Sequence, residues 1–330
     1  MNTEWQQFLQ QQPASQAVTT DDSWFCDLTP WSVMSVQEGD ASRFLQGQLT
    51  CDLDKLEAGT SSLGACCNAK GRMLSNFRIL PVDQGYWLVM HQDLIAPHIN
   101  DLNKYAVFFR SKLQDLGSSL VGIGLHGQQA ADWLKKQGAP SIDSGNTSAL
   151  LGGQLICLDS ENHRYQLWLP TEQAKQQWVE LSGHLPRATP DIWLLGDIQQ
   201  GIAWISGDTR EQYTPHQFNL QALGAISFRK GCYTGQEIVA RMQHLGKSKN
   251  RLYRATSTSQ PQQYPCPIVD KDNQSVGEII SGAQSGEHHE LLILAKNDAV
   301  DAKTLLFEDN KVLSVTDLPY AITNREHLVE

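Results

Sequence analysis

The spacing of apolar residues changes character several times along the chain. The opening MNTEWQQFLQQQPASQ reads as a short, glutamine-rich helix stopped at Pro13. Trp31 to Val36 predicts a strand, and Gly39-Asp40 precede a helical stretch with Phe44, Leu45 and Leu49 at helix spacing. Leu63 to Cys67 and Met73 to Leu80 predict strands paired across Asn68-Ala69-Lys70-Gly71, a turn whose Asn and Gly suit positive φ. A strand at Tyr86 to Met90, a helix at Asp93 to Tyr105 and a strand at Val107 to Leu116 follow. Together they predict an N-terminal α+β subdomain over 1–116.

A second α+β subdomain is expected over 117–200. Its pattern gives strands at Leu120 to Leu125, Gln154 to Leu158 and Tyr165 to Leu169, and helices at Gln128 to Lys136, Thr171 to Leu181 (opened by Thr171) and Asp191 to Gln200. Residues 201–226 are polar, turn-rich and irregular, and lead into a loop and helix that close a third segment, 201–250. Beyond Arg251 short strands separated by turns (252–256, 276–280, 291–294, 305–307, 312–315) predict a small antiparallel β-barrel over 251–330. The fold class is α+β, multidomain, with mixed antiparallel sheets and helices.

The stretch that carries chemistry is SFRKGCYTGQEIVARMQHLGK, Ser227 to Lys247. Thr234-Gly235-Gln236-Glu237 reads as a capping box that starts a helix with Ile238, Val239, Met242 and Leu245 on one stripe, ended by Gly246. Cys232 stands just before that helix start, where the helix dipole with Arg229 and Lys230 favours thiolate. A buried structural thiol is the alternative. Lys230, Gly231, Tyr233, Thr234, Gly235, Gln236, Glu237 and Arg241 crowd donors, an acceptor and an aromatic face around Cys232, which points to a reactive or ligand-binding loop without naming the ligand.

Composition narrows the classes. At 330 residues the chain is long enough for two or three domains, and no apolar run approaches the length of a membrane span. Seven cysteines, without a C-x-x-C pair and without an export signal, predict reduced thiols and a cytoplasmic location. Cys66 and Cys67 are adjacent and the ten histidines lack ligand spacing, so no metal or iron-sulfur site is expected. A net charge of −10 opposes a tight, whole-molecule grip on nucleic acid. Yet Ser227 to Arg254 holds seven basic residues (Arg229, Lys230, Arg241, Lys247, Lys249, Arg251, Arg254) against one acid, Glu237, either a solvated face or an anion site. Gly122-Ile-Gly124-Leu-His-Gly127 matches G-x-G-x-x-G, but Asp143, the nearest later acid, falls in a Gly/Ser loop, so we read a tight strand-to-helix turn rather than a dinucleotide site.

The run Lys230-Gly-Cys-Tyr-Thr-Gly-Gln-Glu237 with Ala240-Arg241 resembles the signature of the YgfZ family of folate-binding, tRNA-modification-related proteins. Phe44 to Gln48, Asn68 to Arg72, Lys104 to Phe108, Asn219 to Gly224 and Leu318-Pro319-Tyr320 extend the resemblance over nearly the whole chain. That family is similar to the T-protein, the aminomethyltransferase of the glycine-cleavage system. The resemblance implies a T-protein-like fold, a tetrahydrofolate derivative as cofactor, Trp31 and Trp193 as pterin walls, and the 201–250 segment packed back on the folate site. It also implies a role with iron-sulfur enzymes, such as those that thiolate tRNA. Cys232 would serve as the thiolate, with Lys230 or Arg241 as anion partners. Two departures matter. Ser75-Asn76 stand where the T-protein has paired aspartates, removing the base expected for aminomethyl transfer, and Gln199 stands at the position of the pterin-binding glutamate. The alternatives are a one-carbon (aminomethyl or formyl) transferase acting on a small substrate and a non-catalytic scaffold that docks a partner.

Overall fold

The computed structural model describes residues 2–245, 248–302, 305–308 and 310–322, and their side chains except at 244 and 245. The chain divides into two compact units: Met1–Gly47 with Asp52–Gly64 and Ser75–Pro190, and Gln48–Cys51 with Ala65–Leu74 and Asp191–Glu330. The architecture is α+β, as the mixed periodicity predicts.

The first unit is built on two five-stranded sheets. One runs in the order Trp24–Asp27, Leu120–His126, Arg164–Pro170, Gly153–Asp159, Thr147–Leu150, and every pairing in it is antiparallel. An antiparallel neighbour on each side of Leu120–His126 leaves no parallel β-α-β unit there. Gly122 lies flat against the Trp168 ring, where a Cβ would come within 2.7 Å, and Gly127 turns at φ +88° into the helix Gln128–Lys136. Those glycines therefore serve packing and a tight turn. Trp178, wedged between Trp5 (5.1 Å between ring centroids) and Phe25 (4.7 Å), anchors the N-terminal helix Thr3–Gln10 to this core.

The other sheet runs Ser62–Cys67, Met73–Val82, Gly85–His91, Trp31–Gln37, Lys112–Asp115; the tip of its outer hairpin, Ala65–Leu74, belongs to the second unit. Two expectations need correction here. The helix after Asp40 ends at Gln46, and Leu49 leaves it to bridge Cys66 in extended form. Val107 to Phe109 form a 3-10 turn closed by Arg110 at φ +56°, so the strand begins only at Lys112; Val107 and Phe108 point outward and bury nothing. The helix Thr171–Ser182 opens at Thr171 as expected, with Pro170 in the cap position and the Thr171 hydroxyl donating to Ser119 O.

In the second unit a seven-stranded sheet runs Lys311–Val312, Leu306–Phe307, Cys266–Val269, Ser275–Ser285, His288–Lys296, Asn250–Ser257, Ser314–Thr316. Its two edge strands are separated in sequence by Leu313 alone. A sheet whose opposite edges are one residue apart must curl until they nearly meet, which is the small antiparallel barrel. Ile268, Ile279, Leu291, Ile293 and Phe307 fill it. The strand Cys266–Val269 escaped the sequence reading because it contains proline; Pro267 is tolerated because on one side the neighbouring strand reaches only Val269. Gly246 and Lys247, the expected helix stop and one of the basic residues, lie outside the described residues.

Barrel filling can be checked directly. Ile293→Ala should cost about 2–5 kcal/mol of barrel stability, seen as a lower urea midpoint. Val312→Ala, at a position 61% exposed, should stay within about 0.5 kcal/mol of the parent. Equal effects would mean that the strand faces are misassigned.

Candidate functional site

The motif loop is seated by close approach of backbone to backbone. Val239 N donates to Gly235 O (3.2 Å), so Gly235 rather than Thr234 is the N-cap of the helix Gln236–Leu245. The expected capping box is thus out of register by one residue, and the Thr234 hydroxyl lies 3.4 Å from Gln48 Oε1. The cause is the turn below it. Gly235 sits at φ +83°, where a Cβ would fall 2.5 Å from Asn68 O and 3.1 Å from Cys67 Cβ. Reciprocally, Gly71 at φ +70° leaves room for Ile238, whose Cγ2 would lie 2.9 Å from an added Cβ. Asn68 braces the turn, its Oδ1 accepting from Lys70 N (2.9 Å) and Arg72 N (3.1 Å) while its Nδ2 donates to Glu211 Oε2 (2.9 Å).

Lys230 ties the loop down. Its Nζ donates to Leu49 O (2.9 Å) and Cys51 O (2.7 Å) and stands 5.4 Å from the centre of the Tyr233 ring. Two of its three donors therefore hold carbonyls, a positioning job that the sequence reading, which offered Lys230 to an anion, did not foresee. Thr50 completes the seat: Oγ1 donates to Ala225 O (2.7 Å), and its carbonyl accepts from Ser227 N (2.8 Å). Tyr233 is buried, its hydroxyl has no hydrogen-bond partner among the described residues, and burial beside Cys67 and Cys51 pushes its pKa up. Gly231, Cys232, Glu237 and Arg241 face solvent, with Thr234 and Gln236 half-buried.

Cys232 is exposed while Cys26, Cys51, Cys66, Cys67, Cys157 and Cys266 are buried. Burial holds the Cys157 thiol up at about 11 and raises Cys26, Cys67 and Cys266. Among the described residues no group of three His, Cys, Asp or Glu is placed to hold a metal ion.

Trp31 and Trp193 fall in different units. Trp31 lines a cavity of about 70 Å³ in the first unit, with Asp27, Thr29, Gln92 and Asp115 around it. The Trp31 Nε1 and the Ser32 hydroxyl beside it are buried without hydrogen-bond partners among the described residues. In the second unit Trp193 is fully buried on the helix Pro190–Gln199. One turn on, buried Asp197 accepts from Trp204 Nε1 (2.8 Å). Gln199 Nε2 donates to Glu290 Oε1 (3.0 Å), and Arg254 Nη2 donates to Glu290 Oε2 (2.8 Å). Sequence reasoning missed Asp197 and Glu290; an acid on a helix as apolar as PDIWLLGDIQ was the available signal for the first. Ser75 is fully buried with its Oγ 3.3 Å from His98 Nδ1, and Asn76 is buried beside it in the chain.

This architecture has the fold of the glycine-cleavage aminomethyltransferases. It is similar to the aminomethyltransferase T of the glycine cleavage system from Bartonella henselae, with a TM-score of 0.73, 16% identity, and coverage of 92% of this chain and 88% of that one. The particular family is narrower. The chain is 31% identical over 312 residues to the tRNA-modifying protein YgfZ of Photobacterium profundum, covering 91% of this chain and 92% of that protein. It is 34% identical over 227 residues to YgfZ of Yersinia pestis (68% of each), and 29% identical over 308 residues to that of Colwellia psychrerythraea. The chain belongs to the YgfZ family. No family model matches it.

Two outcomes follow from the loop geometry. Gly235→Ala should destabilise by about 1–3 kcal/mol through left-handed strain alone, with the clash on Asn68 O adding to it. Gly231→Ala, with nothing within 4 Å of its Cβ, should be neutral; urea unfolding of both variants compares them. Separately, iodoacetamide at neutral pH should label Cys232 at least a hundredfold faster than Cys157, whose thiolate is scarce below its pKa of about 11. Peptide mass mapping that finds equal rates would overturn the assignment of Cys232 as the accessible thiol.

Proposed function

We propose that this chain is a tetrahydrofolate-binding protein of tRNA modification that serves iron-sulfur enzymes, including those that thiolate tRNA, with Cys232 at its working edge. Membership of a family whose relatives are named tRNA-modifying proteins carries the reading. The aminomethyltransferase fold supports the folate part. So does the chemistry around Trp31: an orphaned indole N–H, an orphaned hydroxyl and the Asp27 carboxylate match the mixed acceptor and donor edge of a pterin. The cavity there has room for roughly five waters, the scale of a ring edge rather than of a whole folate. Bound tetrahydrofolate would supply one-carbon chemistry. The chain's own part is to orient the pterin at Trp31, with Trp193 of the second unit as the other candidate aromatic, and to present the Cys232 thiol.

A transferase of the T-protein kind is disfavoured. The base it needs is replaced by Ser75, fully buried with its hydroxyl beside His98. Stoichiometric folate binding without turnover of candidate acceptors is the expected result.

Titration calorimetry with 5-formyl-tetrahydrofolate checks the site. Trp31→Phe and Trp193→Phe preserve bulk, and Trp31→Ala and Trp193→Ala should each weaken binding about tenfold, the range of one lost aromatic stack with its burial. Unchanged affinity in all four variants would remove the folate site from these residues.

A further inference from the structure

Four separate stretches of the second unit converge on an open hollow of about 430 Å³. The turn contributes Lys70 and Arg72, the 3-10 turn Pro215–Phe218 and the residue before it contribute Gln217 and Thr214, and the strand entry contributes Lys249 and Asn250. Ile238 and Met242, one turn apart on the motif helix, supply its apolar wall. Three cations line this opening and no acid does. Lys70 and Lys249 are exposed, and among the described residues neither has an ion-pair partner. Arg72 is held in place, its guanidinium donating to Gln212 O and its amide to Asn68 Oδ1.

In a chain of net charge −10, three cations that a turn and a distant strand entry bring to one opening are a local reversal of sign. A single carboxylate would neutralise one of them. Successive phosphates neutralise all three, an apolar wall can cover a sugar or base face, and hydroxyl and amide groups at Thr214, Gln217 and Asn250 suit ribose hydroxyls. The hollow is open to solvent, which suits a strand passing across it.

We propose that this hollow is an RNA contact, in which Lys70, Arg72 and Lys249 take backbone phosphates; the proposal rests on the tRNA reading above. Contact through so few phosphates is weak and salt-sensitive, compatible with the acidic remainder of the chain. Three phosphates give a slope of log affinity against log salt of about −2 to −3.

The test is fluorescence anisotropy of a labelled, unmodified tRNA transcript with the full-length protein between 25 and 200 mM KCl. Lys70→Glu/Lys249→Glu should bind at least tenfold more weakly, with a slope shallower by about 2. Lys135→Glu/Lys136→Glu, on the exposed face of Gln128–Lys136, should bind as the parent does. Circular dichroism melting curves establish that both variants fold. The proposal is overturned by no binding of parent protein at 100 µM, by equal loss in the two variants or by no loss in the first. Displacement of RNA by millimolar AMP, or by polyglutamate as effectively per charge as by unlabelled RNA, overturns it in favour of a mononucleotide or an acidic peptide. Measuring modified tRNA nucleosides in a deletion strain separates the two levels. If the parent gene fails to restore them, the function reading falls; if it restores them while the first variant leaves affinity unmoved, only the hollow falls.

Discussion

The contact of Gly235 with the carbonyl of Asn68 is the constraint from which the motif loop takes its shape. A left-handed residue must stand where the helix begins, because any side chain there would strike the turn 68–71. Helix start and turn are then locked together, and Gly71 makes the same concession in return by leaving space for Ile238. With both ends of the contact stripped of Cβ atoms, the residues between Lys230 and Gly235 have little freedom. Lys230 removes more of it by reaching back to two carbonyls of the 49–51 segment.

Exposure of Cys232 follows from that arrangement. Tyr233 turns inward under the Lys230 ammonium, so its neighbour Cys232 is left facing outward beside a glycine that shields nothing. The six other thiols are buried, and at Cys26, Cys67, Cys157 and Cys266 burial disfavours the charged form. One chain thus holds a single accessible thiol and a set of inert ones, separated by packing rather than by any special electrostatic partner. That is a selective presentation of sulfur.

Much of this was legible in sequence, and the parts that were not share a physical cause. The helix at 92–106 could be read because it buries one face over several turns, and the strands at 31–37 and 120–126 because they are apolar and buried along almost their whole length. The motif was visible as a coincidence of glycines, a cysteine and a helix start. Hidden were features decided by residues distant in the chain. The N-cap moved from Thr234 to Gly235 because of Asn68, and Leu49 left its helix because Cys66 offered a bridge. Lys230 became a tether because residues some 180 positions earlier present their carbonyls to it. Residues Lys70 and Lys249 gave no joint signal, since only the fold brings a turn and a strand entry to the rim of one hollow.

Gln199 shows how such distant partners change the meaning of a substitution. Judged on its own, an amide where the T-protein pattern has glutamate looks like a loss of binding chemistry. In the fold its amide nitrogen lies 3.0 Å from Glu290, a carboxylate that is itself buried and paired with Arg254 at 2.8 Å. A glutamate at 199 would set two carboxylates against each other at hydrogen-bond distance, and one of them would have to take up a proton. The amide instead donates to the oxygen that Arg254 leaves open, so both oxygens of Glu290 are satisfied and its buried charge is compensated. At position 199 the helix presents an amide, and the carboxylate it meets belongs to the barrel strand His288–Lys296. Gln199 suits that neighbour, and at position 199 the helix offers a neutral amide backed by a compensated ion pair.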